Sequence, residues 1–181
     1  MCLTEAFIRE CFSDDELFKA ISEELHRRVP CGPYAPPGEY VESIQSLPPG
    51  LKAMAATYML DVNMALDDLL WYFWCAHNRR YCEEALWGLK ELGADEAAGI
   101  FEEAYSLVLP HWDTIGAITD GVKFQDYCDE SGLEDAADPL NKRMWTIMGY
   151  WGKREGKWFG LFGWWLRYAR KHPEKVVGQG A

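Results

Sequence analysis

The residues whose chemistry could support catalysis or metal binding lie mainly in one short stretch. Cys75, His77 and Cys82 are close in sequence, and His111 could join them from elsewhere in the chain. A structural zinc site needs four such ligands at regular spacing, which these residues lack. A nucleophilic cysteine–histidine pair would need a recognisable motif, and none surrounds Cys75. The pattern favours an ordinary turn, with an enzyme or metal site at Cys75 and His77 as an alternative.

Paired carboxylates are the second feature that could do chemistry. They occur as three consecutive pairs: Asp67-Asp68, Glu83-Glu84 and Glu102-Glu103. Acid–base catalysis or cation binding requires carboxylates that converge on one point. Consecutive helical residues point in different directions, so these pairs favour surface charge. We therefore predict no catalytic residue, no metal and no cofactor.

The total charge restricts the possible partners. The chain has 181 residues, a hydrophobic content of 49% and a net charge of −11. These values predict one packed domain, and they disfavour direct binding to nucleic acid, which is itself densely negative. A basic protein is the complementary partner.

The charge is also unevenly distributed along the chain. Residues 1–140 contain 27 acidic and 9 basic side chains, whereas residues 141–181 contain 2 acidic and 9 basic ones. This asymmetry indicates either two electrostatic faces or a basic segment that neutralises part of an acidic body.

The cysteines and the N-terminus indicate the compartment. Six cysteines occur at irregular spacing without a CxxC pair, and the first residues do not resemble a secretory signal. No apolar run approaches the length of a membrane-spanning helix. We expect a cytoplasmic protein with reduced thiols that does not contact a membrane.

The N-terminal half is predicted to be helical around one connector. Residues 1–29 should form two helices, the second capped by Ser13, and the proline-rich residues 30–50 should form an extended connector. A long helix is expected over residues 51–76, followed by a turn in which Asn78 caps the helix at 79–92. Gly93 suits a left-handed C-cap, and Asp95 can open the next helix.

The C-terminal half is less regular. Short helices or turns are expected over residues 111–140, and helices over 141–151 and 158–172 are expected to be separated by a break at Gly152–Gly156. Residues 173–181 should fray. Strand patterns are missing. The predicted fold is an all-α, single-domain bundle of roughly seven to nine helices, with residues 51–177 as its core.

A resemblance to a known family rests on several segments. The segments are Asp61-Val62-Asn63, Trp71-Tyr72-Phe73, Tyr81-Cys82-Glu83-Glu84-Ala85-Leu86 and Leu89-Lys90-Glu91-Leu92-Gly93-Ala94, and more weakly Asp138-Pro139-Leu140 and residues 166–173. Over about residues 50–177 the chain resembles the bacterial DNA-mimic protein family of small acidic helical proteins. The resemblance implies an all-α dimer whose carboxylates imitate DNA phosphates and occupy the DNA-binding site of a transcription regulator. One departure is Asp67-Asp68, where the family usually has two glycines.

The resemblance and the charge together give a candidate binding face. The predicted partner-binding residues are Asp61, Asp67, Asp68, Glu83, Glu84, Glu91, Asp95, Glu102 and Glu103. Carboxylates two helical turns apart are separated by roughly 10 Å, which is compatible with a short phosphate row. An ordinary solvated face is the competing interpretation.

Two further function classes remain open. The chain could be an immunity protein that neutralises a toxin, in which case a toxin gene should lie beside its own. The basic and aromatic residues 153–165 could contact single-stranded nucleic acid or a membrane surface. A C-terminal helix with a basic outer face explains the same residues more simply.

Overall fold

The structure is a computed structural model that describes residues 3–150 and 160–178, and this part of the chain is helical without any strand. The prediction of an all-α, single-domain bundle is confirmed. The described residues form twelve α-helices, more than the seven to nine expected, because several are short. The helices are α1 (Glu5–Glu10), α2 (Asp14–Arg28), α3 (Pro37–Ile44), α4 (Pro49–Leu66), α5 (Leu69–Cys75), α6 (Arg79–Glu91), α7 (Asp95–Val108), α8 (Trp112–Ala117), α9 (Gly121–Ser131), α10 (Leu133–Met148), α11 (Phe162–Lys171) and α12 (Pro173–Val177), with a 3₁₀ turn at Leu109–His111.

Helix α4 lies at the centre of the molecule. It contacts α2, α3, α5, α6, α11 and α12. Its small residues, such as Ala53 and Ala56, are fully buried, which is typical of a helix surrounded by protein. The closest approach is to α6 at Gly88, where a Cβ atom would lie 2.9 Å from the carbonyl oxygen of Ala53. The packing of α4 against α6 therefore depends on this glycine.

Several predicted helix ends are confirmed. The Ser13 hydroxyl accepts a hydrogen bond from the amide of Glu16 at 3.2 Å, and the Asn78 side chain accepts one from the amide of Tyr81 at 3.0 Å. Gly93 has a φ of +72° and follows α6 as expected. These features are local in sequence, which explains why the pattern reveals them.

The predicted helix over residues 51–76 is wrong, because the chain breaks at Asp67. This residue has φ −141° and ψ −117°, outside the helical region. The carboxylate of Asp68 then accepts a hydrogen bond from the amide of Trp71 at 3.0 Å and caps α5. Its second oxygen accepts one from the Asn141 amide at 3.3 Å. The N-cap and the tertiary hydrogen bond together redirect the chain.

The proline-rich connector is also more ordered than predicted. Helix α3 lies within it, and α4 already begins at Pro49, a position where proline is tolerated because the first amides of a helix lack partners. Tyr40 of α3 is buried, and its hydroxyl donates to the carbonyl oxygen of Ala55 at 3.0 Å. The connector thus contributes to the core.

Helix α10 starts earlier than predicted. It begins at Leu133 rather than at Asn141 and continues through Pro139. Asp120 caps α9, and Gly132, with a φ of +75°, makes the corner between α9 and α10. Gly121 and Gly132 are therefore located at helix ends.

Residues 173–178 are docked against the fold, so the prediction that this part frays is wrong, and residues 179–181 lie outside the described residues. Helix α12 contacts α1 and α4, and Val176 is fully buried. Helix α11 places Trp165 inside and Arg167 outside, as the interpretation of a core helix with a basic outer face predicts for these residues. The basic residues of the segment 153–165 lie outside the described residues. The predicted break at Gly152–Gly156 and the predicted start at Trp158 lie outside the described residues. None of the helices that the structure describes is both long and apolar enough to cross a membrane.

Candidate acidic binding surface

Asp61 was predicted to face a partner, and this prediction is wrong because the residue is only 3% exposed. Its carboxylate accepts a hydrogen bond from the amide of Leu161, and the hydroxyl of Tyr150 donates to its backbone carbonyl at 3.3 Å. Burial raises the pKa of Asp61 to about 6, although the hydrogen bonds oppose the shift. Asp61 therefore anchors the start of α11.

Asp68 also has a structural position. It is half-buried, and both carboxylate oxygens are occupied by Trp71 and Asn141. Burial is the main cause that raises its pKa, and the hydrogen bonds oppose it. A carboxylate used for capping in this way is poorly placed to bind a partner.

Glu84 and Glu91 are neutralised by the chain itself. The side chain of Glu84 is 14% exposed and lies 2.8 Å from the Lys52 ammonium. Glu91 accepts hydrogen bonds from the Tyr168 hydroxyl and from Lys175. Although burial alone would raise the pKa of Glu91, these bonds and the charge of Lys175 lower it. Both carboxylates are thus used within the fold.

Glu102 and Glu103 are exposed but have basic neighbours. Glu103 pairs with Arg143 at 2.9 Å, and Glu102 lies 3.9 Å from Lys90. Exposed pairs of this kind contribute about 0–1 kcal/mol and can open when a partner binds.

The last three predicted residues are exposed and form no ion pair within the described residues. They are Asp67, Glu83 and Asp95. Asp95 follows the C-terminal end of α6, whereas Glu83 lies in its second turn, so most of the length of α6, roughly 12 Å, separates them. The nine predicted residues therefore do not form one continuous acidic face.

A more concentrated group of carboxylates lies on α9 and α10. Residues 112–141 contain eight acids and a single lysine, Lys123. On α9, Asp126, Asp129 and Glu130 are exposed at i, i+3 and i+4. They lie opposite the buried Phe124, so they share one outward face.

The two helices are joined by a hydrogen bond that the Gln125 amide donates to the Glu134 carboxylate. The neighbouring Asp129 carboxylate is the main cause that raises the pKa of Glu134. We define the α9–α10 acidic surface as Asp126, Asp129, Glu130, Glu134 and Asp135. Within the described part of the chain, none of these carboxylates forms an ion pair with a lysine or arginine.

These acids are not among the partner-binding residues predicted from the sequence. The signal is present, because a run of acids with one lysine at helical spacing predicts an exposed negative face. Gly121 and Gly132 interrupt the pattern, which favours short helices or turns over residues 111–140. Recognising Asp120 as an N-cap and Gly132 as a C-cap would have revealed α9.

The residues of the alternative enzyme or metal site are not brought together. His77 stacks on Trp112 at 4.1 Å, while His111 contacts the Tyr127 hydroxyl at 2.7 Å. Cys75 is exposed, but partial desolvation of its thiol, followed by the charge of Asp67, raises its pKa. A thiol with a raised pKa is a poor nucleophile at neutral pH. No group of three or more potential ligands among the described residues is placed to hold a metal.

The fold and the α9–α10 acidic surface define an acidic, all-α protein with a negative face that forms no ion pair with the lysines and arginines of residues 3–150 and 160–178. The chain belongs to the DMP19-like protein family, whose model matches residues 45–159. The match includes α5–α10 and therefore the whole acidic surface. No curated protein and no solved structure matches the chain.

Proposed function

We propose that this chain is a non-enzymatic acidic binding protein that occupies the basic surface of a DNA-binding regulator or nuclease, in the manner of a DNA mimic. The observation that carries the proposal is the α9–α10 acidic surface, whose carboxylates have no ion pair within the described residues. Membership of the DMP19-like family and the net charge of −11 support it.

The spacing on α9 suits this role. Asp126 and Glu130 are one helical turn apart, or about 6 Å along the axis, close to two nucleotide steps of about 3.4 Å on one DNA strand. A basic groove that binds phosphates would meet carboxylates at comparable intervals. The same charge would repel DNA, so the protein competes with DNA without binding it.

Ionic strength provides the first test. We expect the protein to capture a basic partner from a lysate of its source cell at about 0.05 M salt and to lose most of it at about 0.5 M, because salt screens exposed charges. The captured partner, identified by mass spectrometry, should then release its duplex DNA when this chain is added. A partner that binds equally at both salt concentrations and keeps its DNA would contradict the proposal.

Two matched triple variants test whether the partner binds at the α9–α10 acidic surface. Asp126→Asn/Asp129→Asn/Glu130→Gln removes three charges from the α9–α10 acidic surface and should weaken binding by about tenfold or more. The variant Asp67→Asn/Glu83→Gln/Asp95→Asn changes the net charge equally and should weaken it less than about threefold. If the second variant is the more damaging one, the face predicted from sequence is the binding site.

The identity of the captured partner distinguishes the proposed function from the alternative of an immunity protein. An immunity protein would capture a toxin encoded beside its own gene, and it would protect cells from that toxin. The homodimer implied by the family resemblance is a separate expectation, which light scattering of the purified chain tests.

A further inference from the structure

A cavity of about 460 Å³ lies between α2, the segment after it, α3, α4 and α11. Its walls contain six aromatic side chains: Phe18, Tyr34, Tyr40, Tyr58, Phe162 and Trp165. The volume is within the range of about 300–1,000 Å³ that is usual for small-molecule sites. The cavity shares no residue with the α9–α10 acidic surface, so it is a separate feature of the molecule.

The aromatic wall is preorganised by its own packing. Phe162 lies 4.9 Å from Trp165 and 4.8 Å from Phe18, measured between ring centroids. The indole N–H of Trp165 donates to the Thr57 hydroxyl at 3.0 Å, which fixes this ring against α4. A ligand would therefore meet rings that are already ordered, and little entropy would be lost on binding.

The charge around the cavity favours a cation. The described residues that line it include no lysine or arginine, and His26 is the only ionisable nitrogen among them. Asp61 lies one turn after Tyr58 on α4. Burial is the main cause that raises the pKa of Tyr58, and Tyr34 and the charge of Asp61 add to it. Aromatic faces are themselves negative and attract ammonium groups.

The hydroxyl groups in the wall restrict the kind of cation. The described lining contains neutral hydroxyl groups but no carboxylate that could accept several N–H bonds. A primary ammonium would therefore exchange its hydration for neutral acceptors only. A methylated ammonium carries few or no N–H donors and distributes its charge over methyl groups that can contact the rings.

We infer that this cavity binds a small organic cation of the quaternary or methylated ammonium class. Six aromatic side chains, a wall without Lys or Arg among the described residues, and a nearby carboxylate provide the complementarity. The site is independent of the proposed partner binding.

The test compares two probes of equal shape that differ in charge. Choline and its neutral isostere 3,3-dimethylbutan-1-ol are titrated into the full-length protein at constant salt, and methyl proton shifts are followed by NMR. Choline should bind about tenfold more tightly than the isostere, because only its methyl groups carry positive charge. Equal affinity, tighter binding of the isostere or no detectable binding of choline would overturn the inference.

Matched variants place the ligand in the cavity. Tyr34 is 73% exposed and lines the cavity, so Tyr34→Ala should fold normally and weaken choline binding by about fivefold. Tyr34→Phe keeps the ring and should retain binding. Phe12 is 96% exposed and does not line the cavity, so Phe12→Ala is the control and should bind like the parent protein. Equal effects of Tyr34→Ala and Phe12→Ala would show that choline binds elsewhere and overturn the assignment.

Discussion

Asp61 is a carboxylate at a position where its charge is unfavourable. Burial raises its pKa to about 6 from 3.8. The stability gained from protonation is therefore fully present below pH 3.8 and is lost as the pH rises through about 6. At neutral pH the folded protein carries a charge that the unfolded chain would hydrate more easily.

The first prediction concerns Asp61→Asn, which keeps an oxygen that can accept from the Leu161 amide. At pH 8 the variant should be more stable than the parent protein by roughly 2 kcal/mol, because no buried charge remains. At pH 5 this difference should shrink by about 1 kcal/mol or more. Urea unfolding at both pH values measures it. A variant that is equally destabilised at both values would show that the ionised form stabilises α11.

Asp67 and Asp68 are adjacent but have different environments. Asp68 caps α5 and contacts Asn141, whereas Asp67 is exposed. The second prediction is that Asp68→Ala destabilises the fold by about 1–3 kcal/mol, since it removes a cap and leaves the Asn141 amide without this acceptor. Asp67→Ala should change stability by less than about 0.5 kcal/mol. Thermal unfolding of both variants measures these changes in stability. Equal losses of stability would contradict the capping role assigned to Asp68.

At the residue scale, hydrogen bonds between neighbours in sequence are predictable, whereas contacts between distant residues are not. The caps at Ser13 and Asn78 were predictable because donor and acceptor lie three residues apart. The burial of Asp61 was not, because its partner Leu161 lies 100 residues away. Periodicity places a residue on a helix face, but it does not identify the element that covers this face.

At the scale of elements, glycines mark where helices meet. A Cβ atom at Gly88 would lie 2.9 Å from the carbonyl oxygen of Ala53 and 3.0 Å from a methyl group of Thr57. At Gly99, in the middle of α7, no atom outside the local helix lies within 4 Å. The two positions thus differ in tertiary packing rather than in helical conformation.

The third prediction uses this contrast. Gly88→Ala should destabilise the protein by about 1–3 kcal/mol, because α6 must move away from α4. Gly99→Ala should stabilise it by up to about 1 kcal/mol, because alanine is the better helix former. Chemical denaturation of both variants measures whether each substitution raises or lowers the free energy of unfolding. Stabilisation by Gly88→Ala would show that the two helices can separate without loss of packing.

The helices themselves were only partly predictable. Strong apolar periodicity defined α2, α6 and α7, and local caps also marked the starts of α2 and α6. The break between α4 and α5 was missed because the apolar pattern continues across it, while the hydrogen bond to Asn141 comes from α10. Helix α12 was missed because five residues carry little periodic signal and its order depends on contacts with α1 and α4.

At the scale of the whole molecule, the C-terminal cations neutralise part of the acidic body. Arg143 pairs with Glu103, Arg170 with Asp14 and Lys175 with Glu91. Of the two explanations of the charge asymmetry, the described residues thus support neutralisation. The α9–α10 acidic surface remains outside these pairs, which could not be predicted because ion pairing depends on tertiary contacts.

The fourth prediction follows from the uncompensated charge. The variant Asp126→Asn/Asp129→Asn/Glu130→Gln should be more stable than the parent protein at low salt by about 0.5–1 kcal/mol, because like charges one turn apart repel. Added salt should reduce this difference by screening. Thermal unfolding at low and high salt measures the effect. A variant that is less stable at every salt concentration would show that these carboxylates support the fold.

The late position of α11 in the chain affects biosynthesis. Trp165 donates to Thr57 and Leu161 donates to Asp61, so residues about a hundred positions apart must meet on α4. A ribosome adding roughly 5–20 residues per second synthesises α11 about 5–20 s after this part of α4. Until then the nascent protein exposes apolar side chains of α4 to chaperones and proteases. A premature stop codon before residue 161 would leave that surface permanently uncovered, and the truncated product should be degraded rapidly in the cell.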